Sequence, residues 1–91
     1  MAAALFEAEL DAAQAAGVAR LTDEHRPTRP DGVVTAMLLY DGAVATLVAV
    51  WRSRDELEQY LATTDVPRGR ELMRKVGVEP SIRVVDVLEH A

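Results

Sequence analysis

Apolar positions in the first quarter of the chain recur at helical spacing. Phe6, Leu10, Ala13, Gly17 and Leu21 stand three or four residues apart among alanines, the strongest helix formers. The pattern predicts a helix over about residues 3 to 23, with Gly17 weakening its second half by roughly 1 kcal/mol relative to Ala. From His25 to Gly32 the chain carries Pro27 and Pro30, each restricting the residue before it, so an extended connector follows.

Two β-rich runs come next, Val33 to Tyr40 and Ala43 to Trp51, parted by Asp41-Gly42. Asp-Gly between apolar runs is a strong hairpin signal, because a type I′ turn needs positive φ at both central residues. Neither run alternates apolar with polar, so both faces of the sheet should be covered. One face can be covered by the chain's own helices. The other calls for a second subunit.

Ser53-Arg-Asp-Glu56 reads as a capping box that opens a second helix, whose inner face carries Leu57, Tyr60 and Leu61. Asp65 is expected to cap a continuation with Pro67 in its first turn, Leu72, Met73 and Val76 inside, and Gly77 just beyond its end. A last strand, Ser81 to Glu89, is again apolar on both faces apart from Asp86. The expected order is α-β-β-α-β with an antiparallel sheet.

Ninety-one residues make a single domain. A chain of this size buries only roughly 60–65% of its unfolded surface, which adds to the case for a partner. The net charge is −5, with nine Arg and one Lys and no basic stripe, so nucleic acid is not an expected partner. Cysteine is absent, which removes disulfides, thiolate metal sites and thiol nucleophiles. The opening Met-Ala-Ala-Ala-Leu-Phe-Glu lacks a basic region, and no apolar run is long enough for a bilayer, so no membrane association is expected. Abundant Ala, Arg and Val with no Asn suggests a GC-rich bacterial gene and a cytoplasmic protein.

From Asp31 to Glu89 the chain resembles the antibiotic biosynthesis monooxygenase family. The resemblance rests on Pro30-Asp-Gly-Val-Val-Thr-Ala36 opening a strand and on Val48-Ala-Val-Trp-Arg-Ser-Arg-Asp-Glu-Leu57 running from strand into helix. The aromatic-x-Ser-x-x-Glu sign falls on Trp51, Ser53 and Glu56. It implies a ferredoxin-like α+β subunit that dimerises through its sheet into a barrel. That family begins with a strand, whereas here a helix is expected first. The sheet would then have three strands, or be completed by a partner chain, or the gene start would be misplaced.

The resemblance further implies a substrate between sheet and helices, oxygenated without metal or flavin, so no cofactor is expected. Such a pocket needs donors for an oxyanion and aromatic walls that exclude water. Along the third strand of that family's order, Ala43, Ala45, Leu47, Ala49 and Trp51 share one face and Val44, Thr46, Val48 and Val50 the other. Small side chains beside Trp51 leave room for a small aromatic ligand, bounded by Tyr60. The β-branched face suits a sheet-to-sheet homodimer. Trp51 and Tyr60 are the candidate catalytic residues, and Ala45, Leu47 and Ala49 complete the candidate ligand site. Equally, the alanines could serve only to let a helix pack closely, with Trp51 a core residue.

His25 and His90 lie near element ends without metal-ligand spacing and are expected to be solvated. Haem degradation in this superfamily uses Asn and His on the second helix, and this chain has neither there. Arg20, Arg26 and Arg29 gather near the first loop and could meet an acidic ligand, as could Arg52 and Arg54 beside Ser53. Arg68, Arg70, Arg74 and Lys75 read as a solvated helix face. Two functions remain open: a cofactor-independent monooxygenase acting on a small aromatic or polyketide-like metabolite, and a non-catalytic ligand-binding or accessory dimerisation module.

Overall fold

A computed structural model describes residues 1–90. Its elements are β1 (Ala2–Glu9), α1 (Ala12–Glu24), β2 (Val33–Tyr40), β3 (Val44–Trp51), α2 (Arg54–Thr63), α3 (Arg68–Lys75) and β4 (Ser81–Asp86). The four strands form one antiparallel sheet in the order β2-β3-β1-β4, with the helices packed on one face. This is the ferredoxin-like α+β arrangement.

The expected helix over residues 3 to 23 is corrected here, and with it the order α-β-β-α-β. The first strand is present and central, with β3 on one side (Ala4 opposite Ala49) and β4 on the other (Ala4 opposite Val84). Neither a three-stranded sheet nor a partner strand is needed. Alanine's helix propensity is worth only tenths of a kcal/mol per residue, and pairing on both edges with burial overrides it. Ala2, Ala4 and Phe6, two residues apart as on one face of a strand, join the core cluster, and Ala3 between them is buried too.

The start of α1 lies at Asp11. Its carboxylate accepts the Gln14 amide at 2.8 Å, and the Gln14 side-chain oxygen accepts the Asp11 amide at 2.9 Å. This Asp-x-x-Gln capping box is legible in the sequence once a strand precedes it. The inner stripe consequently rotates to Ala15 and Val18, and Ala13 is exposed. Gly17 faces α3, where a Cβ would stand 3.1 Å from Val76 Cγ1.

The β2–β3 hairpin forms as expected, but its turn is not type I′. Only Gly42 has positive φ, at 98°. Asp41 instead accepts the amides of Ala43 (2.9 Å) and Val44 (2.7 Å) through one carboxylate oxygen. These bonds, that from Val44 foremost, hold the Asp41 carboxyl below its usual range.

Ser53 caps α2 by accepting the Glu56 amide at 3.1 Å. The reciprocal half of the expected box is missing, because Glu56 is turned to Arg52, which donates to it at 3.0 and 3.2 Å. The continuation after α2 is a separate helix, and Asp65 does not cap it. At the C-terminal end of α3, Gly77 donates to the Arg74 carbonyl (3.0 Å) and Val78 to that of Met73 (3.2 Å), with Gly77 at φ 88°. This is a Schellman termination, placed where Gly77 indicated. β4 stops at Asp86 rather than Glu89, although the Val87 amide still bonds the Met1 carbonyl at 3.0 Å.

Core packing lies between the sheet and the helices and joins Phe6, Val18, Leu47, Trp51, Leu57 and Met73, among others. Each large apolar side chain fully buried there contributes about 1.5–3 kcal/mol. The opposite sheet face is left partly open by the chain itself, although Ala3 and Val50 on it are buried. Val48 pairs there with Leu5 and Met37, and Thr46 with Leu39. Met37 and Leu39 remain 42% and 52% exposed.

Candidate active site beneath Trp51 and Tyr60

A cavity of about 70 Å³ lies between the sheet and the helices. Its sheet side is Ala4 and Phe6 of β1, Val33 and Ala36 of β2, and Leu47, Ala49 and Trp51 of β3. Across from it stand Thr22 and His25 of α1, then Leu57, Tyr60 and Leu61 of α2. Arg29 and Pro30 of the connector and Arg68, Gly69 and Leu72 of α3 close the remaining sides. The body is apolar and the polar groups are few. Its volume is several times the roughly 10–15 Å³ that one water needs, but short of the ~150 Å³ that admits a benzene ring. A ring therefore enters only if a wall side chain moves.

The alternation along β3 sets the floor. Leu47, Ala49 and Trp51 face the helices and line the cavity, while Val44, Thr46, Val48 and Val50 face away. Ala45 shares the inner face but is fully buried in packed core and does not reach the cavity. Trp51 is only 3% exposed and is a core residue as well as a cavity wall. Its ring lies 5.0 Å from that of Tyr60, centroid to centroid, tilted by 40°. Such offset contacts add about 0.5–1.5 kcal/mol beyond burial. Gly32, with φ 93°, lets the connector pass over Trp51; a Cβ there would stand 2.9 Å from Cε3 of the indole.

Tyr60 has a second task. Its hydroxyl accepts the Arg68 amide at 2.9 Å, capping the first turn of α3 in place of the expected Asp65. The hydroxyl proton stays free to be donated elsewhere.

Three polar residues reach the cavity from different elements: His25 at the end of α1, Arg29 on the connector and Arg68 on α3. His25, expected to be a solvated terminal residue, is half-buried, lines the cavity and bonds the Leu21 carbonyl through Nδ1 at 2.8 Å. Arg68, expected on a solvated face, is held by Thr28 (carbonyl at 3.2 Å, hydroxyl at 3.4 Å) and by Glu71 at 3.2 Å. Arg29 reaches the Val34 carbonyl at 3.5 Å. The gathering of arginines near the first loop hinted at Arg29 alone. Other arginines are ordinary surface pairs: Arg20 with Glu24, Arg26 with Asp23, Arg52 with Glu56, and Arg54 with Glu58 and Asp86. His90 is exposed and far along the chain from these groups.

Among the described residues no cluster of three His, Cys, Asp or Glu side chains could hold a metal ion, and no helix is long and apolar enough to cross a membrane.

Fold and cavity together define a ferredoxin-like α+β protein with a small apolar chamber between sheet and helices. The same fold occurs in a solved structure from Deinococcus radiodurans described as a "putative antibiotic biosynthesis monooxygenase", with a TM-score of 0.64 and 14% sequence identity, covering 100% of this chain and 96% of that one. At that identity the likeness concerns the fold. No protein-family model and no curated protein matches the sequence.

Proposed function

We propose that the protein is a homodimeric, cofactor-independent monooxygenase that takes a small, electron-rich aromatic metabolite into the cavity beneath Trp51 and Tyr60. The observation that carries this reading is the partly open apolar space beside Trp51, bounded by Tyr60 and with hydrogen-bond donors among its lining residues. Trp51 and Tyr60 are its candidate catalytic residues, and Leu47 and Ala49 form the floor under the ring. At about 70 Å³ the space takes even a single ring only after a wall side chain moves, which favours one ring over a polycyclic one.

The chemistry asks little of the protein beyond binding, water exclusion and charge stabilisation. An ionised hydroxyarene passes one electron to dioxygen, and the radical pair joins at the ring carbon para to the oxygen. Loss of the ring hydrogen with cleavage of the O–O bond leaves a carbonyl and water. One oxygen atom enters the ring, and the substrate supplies all four electrons.

Dimerisation is proposed through the open sheet face carrying Val44, Thr46, Val48 and Val50, with Met37 and Leu39 exposed beside them. Burial of about 800 Å² per subunit would make a normal specific interface.

Two measurements test this reading. The probe 2,6-difluorophenol should quench Trp51, the single indole, with saturable micromolar affinity, and Ala49→Phe should abolish that quenching by filling the cavity. Orcinol should then drive oxygen uptake by the wild-type protein. Absence of saturable quenching would remove the pocket reading. Quenching without oxygen uptake would favour a non-catalytic ligand-binding module of the same fold, a reading supported by the absence of any carboxylate base among the described cavity-lining residues.

A further inference from the structure

The polar groups around the cavity divide by what they can do with a proton. The Thr22 hydroxyl donates to the Val18 carbonyl at 2.8 Å. The Tyr60 hydroxyl already accepts the Arg68 amide. Arg29 and Arg68 are cations that only donate. His25 is different. A carbonyl oxygen can only accept, so the 2.8 Å contact between Nδ1 and the Leu21 carbonyl places the hydrogen of the neutral ring on Nδ1. The Nε2 lone pair is then left without a partner among the described residues. Imidazole is also the side-chain type that ordinarily exchanges protons near neutrality.

His25 sits at the C-terminal end of α1, where its own amide bonds the same Leu21 carbonyl at 3.0 Å. A proton added on Nε2 leaves the Nδ1 bond in place. Charged groups on its own segment are already engaged with one another, Asp23 with Arg26 and Glu24 with Arg20. From the other elements, Arg29, Arg68 and Tyr60 line the same cavity. Both arginines can donate to an anion on a ligand in the cavity, Arg68 alongside its pairing with Glu71. With a ligand present, base and anion acceptors thus stand together at one chamber.

We infer that His25 is the proton acceptor of this cavity, taking the hydroxyl proton of a bound hydroxyarene on Nε2 while Arg29 and Arg68 hold the resulting oxyanion. The ligand's O–H bond breaks, the proton forms the Nε2–H bond, and the electron pair stays on the ligand oxygen. This deepens the proposed function and rests on it, since it requires an aromatic ligand in the cavity. It selects ligands that carry an ionisable hydroxyl at one end and an apolar ring at the other. An aromatic carboxylate, already without its proton, offers nothing to a neutral Nε2.

The test uses 2,6-difluorophenol, whose ¹⁹F shift reports its own ionisation, at a pH below the midpoint of the free probe. Bound to the wild-type protein, the probe should be in its phenolate form, and the ¹⁵N shifts of His25 should move to those of imidazolium. His90→Gln removes the other imidazole for assignment. With His25→Gln the probe should still quench Trp51, but its ionised fraction should fall clearly below that in the wild-type protein. A neutral bound probe, an unchanged imidazole, or equal ionisation in His25→Gln would overturn the inference while leaving the pocket intact. Failure of the probe to bind at all would overturn the pocket and this inference together. Should His25→Gln not fold, the wild-type ¹⁹F and ¹⁵N shifts alone decide.

Discussion

The hydroxyl of Tyr60 lies 2.9 Å from the amide of Arg68, so a side chain from α2 caps α3 across the break between them. The same ring forms a wall of the cavity against Trp51. One residue thus serves both the α2–α3 junction and the cavity wall. Tyr60→Phe should keep the aromatic wall but orphan the α3 amide, with a loss of about 1 kcal/mol in urea unfolding. An unchanged midpoint would show that water replaces the cap without cost. Any effect on oxygen uptake has to be read after this loss is known.

Phe6 packs so closely on Gly69 that a Cβ there would overlap its ring. In an exposed helix Gly→Ala gains about 1 kcal/mol. Here Gly69→Ala should instead destabilise by about 1–3 kcal/mol through overpacking, or push Phe6 into the cavity. Urea unfolding together with probe binding separates the two responses, and a plain gain in stability would contradict the packing.

The open sheet face predicts the effect of a charge. Val48→Glu puts a carboxylate beside Leu5 and Met37 on the face proposed for dimerisation, and should shift sedimentation towards the monomer. Glu58→Lys, an exposed change on α2, should leave the mass unchanged. A wild-type protein that sediments as a monomer at micromolar concentration would end the dimer proposal.

Acid should act on the α3–β4 junction. Arg74 donates to both oxygens of Glu79, at 2.6 and 3.0 Å, and that bond foremost holds the Glu79 carboxyl below its usual range. A value lowered by folding adds stability above the unfolded carboxylate range and loses it as pH falls through the folded value. Glu79→Gln should therefore be less stable than wild type at neutral pH, with the gap closing on acidification. Because the group is exposed, the gap should be small and shrink in salt. A gap that persists at low pH would assign it to packing instead.

The sequence by itself determined what depends on near neighbours. Asp41-Gly42 marked the hairpin, Ser53 the start of α2, and Gly77 the end of α3, because turns and caps are satisfied within a few residues. Alternation along β3 also told which side chains share the Trp51 face, since a strand's period is two whatever surrounds it. The tertiary structure decided the rest. Residues 2 to 9 carry helix-forming alanines and an apolar spacing that also fits a helix, and only pairing with β3 and β4 makes them a strand. The break between α2 and α3 is bridged by the Tyr60 hydroxyl, which local sequence does not reveal. His25, Arg29 and Arg68 looked like solvated charge because each is polar among polar neighbours. They come to one cavity with Trp51 only when α1, the connector and α3 fold over the sheet, a long-range closure that no local periodicity encodes.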